Sequence, residues 1–300
     1  MIGIDWGTTR FRAYLLDATG GIRERRERER GILEVAEGRF AYVLNEEAGD
    51  WIAQGERRIL LSGMVGSRQG WRETAYLPCP AGPRELARAL APVDFASALV
   101  RIVPGVSARD GEGVPEVMRG EETEIAGCVD LLPERAPELS LVCLPGTHSK
   151  WARVEGGRIA AFRTHLTGEA YAALKRHTIL GRMMEGDLHL AEAFGRGVRR
   201  SGEPGGLLHH LFGVRALGLA GELAEREAAS YLSGMLIGHE VRAAMAGSAD
   251  VYLVGAADLC ANYAEAIRAI GGQPIQLGPE RAAAGLFRIA AMADWGAEAG

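Results

Sequence analysis

No apolar run in the chain is long enough to span a membrane. No basic segment followed by an apolar core and a cleavage site leads into the first strand-like run. A cytoplasmic protein without a membrane partner is therefore expected. Cysteine is scarce: Cys79, Cys128, Cys143 and Cys260 are the only four, far apart and without a CxxC pair. That spacing argues against structural zinc and against a disulfide framework. Cys128 and Cys143 stand in apolar stretches and read as core. Positive charge is not in excess either. The formal net charge is −5, so a broad nucleic-acid surface is not expected. A Walker A motif is missing, and any ATP site must be built without a P-loop. The histidines offer no metal site, since His209 and His210 are adjacent and point from different helix faces, and His189 and His239 lack ligand spacing.

What the chain does have is a repeated plan. Ile2 to Ile4 reads as a buried strand, Arg10 to Leu16 as a second, and Ala18-Thr19-Gly20-Gly21 as the turn after it. Between the strands stands Asp5-Trp6-Gly7-Thr8-Thr9. Gly7 lets the backbone approach a ligand, Thr8 and Thr9 can donate to phosphate oxygens, and Asp5 can hold a hydrated Mg²⁺ beside them. Turn chemistry alone also favours Gly, Thr and Asp. Half a chain later the plan recurs. Leu141 to Leu144 is followed by Pro145-Gly146-Thr147-His148-Ser149-Lys150-Trp151, a strand, a Glu155-Gly156-Gly157 turn and a returning strand to Phe162. Repetition of a whole supersecondary unit points to a duplicated fold. Gly146, Thr147, His148 and Ser149 join Gly7, Thr8 and Thr9 as phosphate-binding candidates.

Between the repeats, Ile22 to Arg30 reads as a charged edge strand. Phe40, Val43, Leu44, Ala48, Trp51 and Ile52 have helical spacing. The strand Arg58 to Leu61 opens into a Gly- and Ser-rich loop, Ser62 to Trp71, at a place where open α/β sheets bind ligands. Met64, Gly66, Arg68, Gln69 and Trp71 are its substrate-binding candidates. Arg68 can pair with a carboxylate, Gln69 with hydroxyls, and Trp71 can form an apolar wall. A surface connection is the competing reading. Gly105 to Val114 is expected to be a polar loop. Glu121 to Leu131 is expected to be a helix entered from Arg119-Gly120. Polar residues at 136–140 mark the expected boundary between domains at 1–138 and 139–300. Beyond it, helices are expected over 187–198 and, with breaks, over 206–245. The strand Val251 to Val254 ends in Gly255-Ala256, followed by a helix.

These stretches, with Met118-Arg119-Gly120-Glu121-Glu122 and Leu166-Thr167-Gly168-Glu169, occur in the order found in the 2-dehydro-3-deoxygalactonokinase family, which the chain resembles. That family belongs to the sugar kinase, actin and heat-shock ATPase superfamily. The resemblance implies an α/β fold of two duplicated actin-like, ribonuclease H-like domains with a central ATP and substrate cleft. It implies ATP and Mg²⁺ as cofactors and a small sugar acid as partner. It also implies phosphorylation of 2-dehydro-3-deoxy-D-galactonate to its 6-phosphate. Gly255 and Ala256 fall at the superfamily's adenosine site. A Gly-Asp step supplies the base in related kinases. Here Gly120-Glu121 occupies that place with Glu122 beside it, and the two glutamates are not separable by sequence. Asp5 is the metal candidate.

Other readings compete with this one. A kinase of the gluconate-derived epimer or another sugar would share these motifs. A sugar-responsive repressor would need a helix-turn-helix ahead of the first strand. An actin-like filament former or heat-shock-type chaperone leaves Ser62 to Trp71 unexplained. A homodimer is neither required nor excluded.

Overall fold

The computed structural model describes residues 1–36, 38–133, 140–186, 188–245 and 250–296. The chain opens with β1 (Ile2–Trp6), β2 (Phe11–Leu16) and β3 (Ile22–Arg28), followed by α1 (Phe40–Ala53) and β4 (Arg58–Ser62). Then come β5 (Tyr76–Pro78), α2 (Pro83–Arg88), β6 (Ala91–Val93), β7 (Leu99–Ile102), β8 (Gly105–Arg109), β9 (Pro115–Met118) and α3 (Glu121–Ala126). The main sheet has the order β3-β2-β1-β4-β7-β6. Antiparallel β1-β2-β3 continues into parallel β1-β4-β7, the arrangement that places a strand-end loop next to a hairpin tip. β3 is the charged edge, where Arg and Glu side chains protect unpaired backbone groups.

The second half contributes β10 (Ser140–Leu144), β11 (Ser149–Glu155) and β12 (Arg158–His165), then α4 (Thr167–His177), α5 (Ala191–Arg200), α6 (Gly206–Leu219) and α7 (Glu225–Met245). It ends with β13 (Asp250–Leu253), α8 (Ala257–Ala269), β14 (Gln273–Gln276) and α9 (Arg281–Met292). Its sheet runs β12-β11-β10-β13-β14, so the order of the first five strands of the main sheet is repeated. α7 is buried on most of its circumference, packing against α4, α5, α6 and α8.

Two compact units result. One comprises Met1–Leu139, Arg153–Phe162 and Glu280–Gly300; the other comprises Ser140–Ala152 and Arg163–Pro279. The division differs from 1–138 and 139–300, because α9 packs against β1, β4, α2 and α3. Leu286 is fully buried there, against Gly3 of β1. Burial of such a side chain contributes about 1.5–3 kcal/mol. Apart from Ser140, the expected boundary at 136–140 lies outside the described residues.

The expected loop over 105–114 is corrected. Gly105–Arg109 is a strand, the centre of a separate three-stranded sheet of order β5-β8-β9. A tight turn follows, in which the Asp110 carboxylate accepts from the amides of Glu112 and Val114. The expected helix from Glu121 is shorter, passing after Ala126 into a 3₁₀ turn at Val129–Leu131. Asp187, expected to start a helix, lies outside the described residues; that helix starts at Ala191.

Candidate active site

In the first unit the site is built where β1, β4 and α3 end or begin. Asp5 pairs across the hairpin with Arg12, whose guanidinium donates to the carboxylate at 3.0 Å. Arg12 also reaches Glu27 on β3 at 3.3 Å. Burial pushes the Asp5 carboxyl above its ordinary value, and Arg12 opposes that push. At the tip, the Gly7 amide donates to the Arg10 carbonyl at 2.9 Å. The amides of Ile32 and Leu33 donate to the carbonyls of Gly7 and Thr8, at 3.0 and 3.3 Å. The tip is thus held from behind while Thr8 and Thr9 stay exposed.

Two glycines bring the other pieces in. Gly63 has φ 91°, and a Cβ there would stand 2.8 Å from the Trp6 carbonyl oxygen and 3.2 Å from Asp5 Oδ1. Gly120 has φ 108°, and a Cβ there would meet the Gly63 Cα at 3.3 Å. Left-handed backbone and close approach both require glycine at these positions. They set the strand carrying Asp5, the loop after β4 and the first turn of α3 side by side.

The structure separates the two glutamates that the sequence leaves equivalent. Glu122 is fully buried. One of its oxygens accepts from the Gly120 amide at 2.6 Å and the other from the Thr123 hydroxyl at 3.0 Å. Glu121 is partly exposed and accepts from the Arg119 amide at 3.0 Å. Burial, and then repulsion from Glu121, push Glu122 up to about 8. Glu124, which sequence reasoning missed, is also pushed up to about 8, by burial and then by Asp5 and Glu121. The site is therefore a crowded acidic centre with Arg12 as its cation.

A consequence for stability follows from Glu122. The unfolded chain releases this proton near its ordinary value of 4.5, whereas the folded chain keeps it to about 8. Between those values the unfolded state binds fewer protons, so stability falls as pH rises. Glu122→Gln should flatten that fall in a series of thermal melts, leaving the share owed to Glu124. An unchanged slope would mean that Glu122 does not hold the proton.

The loop after β4 is divided between core and surface. Trp71 lies parallel to Phe40, with ring centroids 6.2 Å apart, and meets Phe95 edge-on. Met64 also packs on the first core. Gly66 is buried, while Arg68 and Gln69 are exposed. Arg68 stands 3.8 Å from Glu73. Arg119, which sequence reasoning passed over, ties the loop region to the Glu121 turn. Its guanidinium donates to the Thr74 hydroxyl and, at 2.9 Å, to the Thr74 carbonyl, and lies over the Tyr76 ring at 4.4 Å.

In the second unit Gly146, Thr147 and His148 form the turn between β10 and β11. Thr147 and His148 are exposed. The first turn of α4 lies on this turn. The Glu169 amide donates to the Thr147 carbonyl at 3.0 Å, and the Glu169 carboxylate is 2.5 Å from His148 Nε2. Ser149 requires a correction. Its side chain is fully buried, with the hydroxyl 2.9 Å from the Tyr263 hydroxyl and 3.2 Å from Glu240. It belongs to a buried network in which Trp151 Nε1 and Tyr263 Oη each donate to Glu240 at 2.7 Å. The network satisfies a buried carboxylate and leaves the Ser149 side chain nothing to offer a phosphate.

Gly255, with φ 140°, places the turn between β13 and α8 near the Pro145 carbonyl, and Ala256 is the N-cap of α8. A cavity of about 340 Å³ lies beside the Gly146-Thr147 turn. It is lined from α4 by Tyr171, from α7 by Ser233 and Leu236, and from α8 by Leu259 and Asn262. Sequence reasoning named none of these lining residues as site residues. Among the described residues no group of three or more His, Cys, Asp or Glu side chains could hold a metal ion. No helix of the described residues is long and apolar enough to cross a membrane.

A family model described as 2-keto-3-deoxy-galactonokinase matches residues 5–289. The Rhizobium meliloti (strain 1021) protein "Probable 2-dehydro-3-deoxygalactonokinase DgoK1" is 36% identical over 299 residues, covering 97% of this chain and 96% of its own. The Escherichia coli (strain K12) 2-dehydro-3-deoxygalactonokinase is 34% identical over 273 residues, 90% of each chain. A Sinorhizobium meliloti crystal structure, provisionally described as a 2-dehydro-3-deoxygalactonokinase, superposes with a TM-score of 0.89. Its identity is 35%, covering 96% of this chain and 97% of that one. With its duplicated sheets, the chain has the actin-like ATPase fold of sugar kinases, and it belongs to the 2-keto-3-deoxy-galactonokinase family.

Proposed function

We propose that the chain transfers the γ-phosphoryl group of ATP to the 6-hydroxyl of 2-dehydro-3-deoxy-D-galactonate, a step of galactonate catabolism, with Glu121 as the base. The observation that carries the role assignment is the contrast at the start of α3. Glu122 is buried and spent on Gly120 and Thr123, whereas Glu121 is partly exposed beside the strand that carries Asp5. A sugar hydroxyl is a poor nucleophile, and a carboxylate within hydrogen-bond reach accepts its proton as the phosphoryl group transfers.

The remaining roles follow from chemistry. Gly7, Thr8 and Thr9, with Gly146, Thr147 and His148, offer amides, hydroxyls and an imidazole to the phosphates. Gly255 and Ala256 take the adenosine, next to the cavity floored by α7 and α8. Asp5 is a hard oxygen donor that would hold Mg²⁺, an ion bound through carboxylate oxygens. When bound, Mg²⁺ neutralises charge on the phosphates. Arg68 is the cation for the sugar-acid carboxylate, with Gln69 for hydroxyls, and with Met64, Gly66 and Trp71 shaping the wall behind them.

The test is ADP release measured with 2-dehydro-3-deoxy-D-galactonate, with its gluconate epimer and with no sugar acid. Strong dependence on the galactonate-derived acid is expected. Preference for the epimer would move the substrate assignment, and ADP release independent of any acid would overturn the kinase reading.

A further inference from the structure

A hollow of about 660 Å³ lies among α5, α6 and α7 of the second unit, and none of its lining residues lines the cavity beside Gly146. Arg196, Arg199 and Arg200 enter it from α5. Their spacing of three and four residues puts them on one helical face. Phe212 and Leu217 of α6 form an apolar side, and the largely buried Tyr231 of α7 borders it.

The positive charge of this hollow is only partly compensated. Arg196 donates to the Glu222 carbonyl at 3.1 Å, and Arg200 donates to His209 Nε2 at 3.1 Å. Neither acceptor is a carboxylate. Among the described residues, none of the three arginines forms an ion pair, whereas Arg25, Arg26, Arg28 and Arg30 on and beside the β3 edge all do. Glu203 is the hollow's acidic residue, exposed and without an ion pair to them. Three guanidinium groups against one carboxylate leave a surplus of positive charge in a chain whose net charge is −5.

We propose that this hollow binds a small organic anion: a phosphate or carboxylate carried on a flat apolar body. Guanidinium groups take oxyanions through paired hydrogen bonds. The exposed Phe212 ring and the flat arginine faces suit a planar body, which stacks on both. The volume falls within the range of about 300–1,000 Å³ usual for small-ligand sites. The inference is independent of the kinase reading.

Calorimetric titration of the full chain with phenyl phosphate, benzoate and inorganic phosphate tests it. Saturable binding of at least one aryl anion is expected, tighter than that of inorganic phosphate. Phenyl phosphate and benzoate separate the phosphate source from the carboxylate source. Because phosphates could also enter the kinase site, each titration is repeated with a saturating non-hydrolysable ATP analogue, and binding should persist. Arg199 is exposed, so Arg199→Ala should keep the fold and weaken binding on the order of 10-fold, with Arg199→Glu weakening it further. Phe212→Ser should narrow the advantage of phenyl phosphate over inorganic phosphate. No saturable binding of either aryl anion would overturn the proposal. So would binding that the ATP analogue abolishes and Arg199→Glu leaves unchanged.

Discussion

Glu121→Gln is expected to bind ATP and the sugar acid normally and to lose on the order of 10²–10⁴-fold in kcat. Glutamine keeps the size of the side chain and its ability to accept from the Arg119 amide. It cannot take the proton of the attacking hydroxyl. The loss should therefore appear in kcat, with KM for both substrates little changed, as for an interaction made only in the transition state. Glu122→Gln is the informative partner. Glu122 is buried and fixes the Gly120 turn, so its loss should lower stability more than turnover. A Glu121→Gln enzyme with near-normal kcat would remove Glu121 from the role. A crippled Glu122→Gln beside it would pass the role to Glu122.

Asp5→Asn should lower turnover on the order of 10²-fold or more, while leaving the affinity for the sugar acid close to normal. The substitution removes a negative oxygen from beside the phosphates and leaves Arg12 facing an amide in place of a carboxylate. An amide oxygen is a much weaker partner for a divalent cation, so raising Mg²⁺ should recover part of the activity. A Mg²⁺ titration of initial rates separates this from simple destabilisation, which added Mg²⁺ would not repair. Wild-type turnover at ordinary Mg²⁺ would take Asp5 out of the phosphate site.

The hairpins were legible because their signals are local. Ile2 to Ile4 and Leu141 to Leu144 are short apolar runs that end in the Gly- and Thr-containing stretches Asp5 to Thr9 and Pro145 to Ser149, and strand pattern with turn chemistry is enough to place them. The direction of individual side chains was less legible. Adjacency to Gly146 and Thr147 puts Ser149 among the phosphate-binding candidates. Yet Ser149 and Trp151 are two apart on β11, hence on one face, and both turn to Glu240. The segment over 105–114 reads as a loop because Arg109, Asp110 and Glu112 outweigh a short buried start at Gly105 and Val106. Arg119 and Glu124 gain their meaning from Thr74, Tyr76 and Asp5, contacts distant in sequence that no local pattern announces. The separation of Glu121 from Glu122 likewise needed the Gly120 and Thr123 bonds.

The position of α9 bears on the order in which a ribosome releases this protein. Domains generally fold as units during synthesis, the earlier first. Here the first sheet emerges early, but its covering helix, with Ala282, Leu286 and Ile289 buried, is translated after the whole of 163–279. The nascent first sheet must therefore wait with an apolar face uncovered while the second unit, complete by Pro279, can already close. The unit translated first is thus the last to finish folding, and the faces of β1 and β4 that receive α9 are the surfaces a nascent-chain chaperone would shield until then.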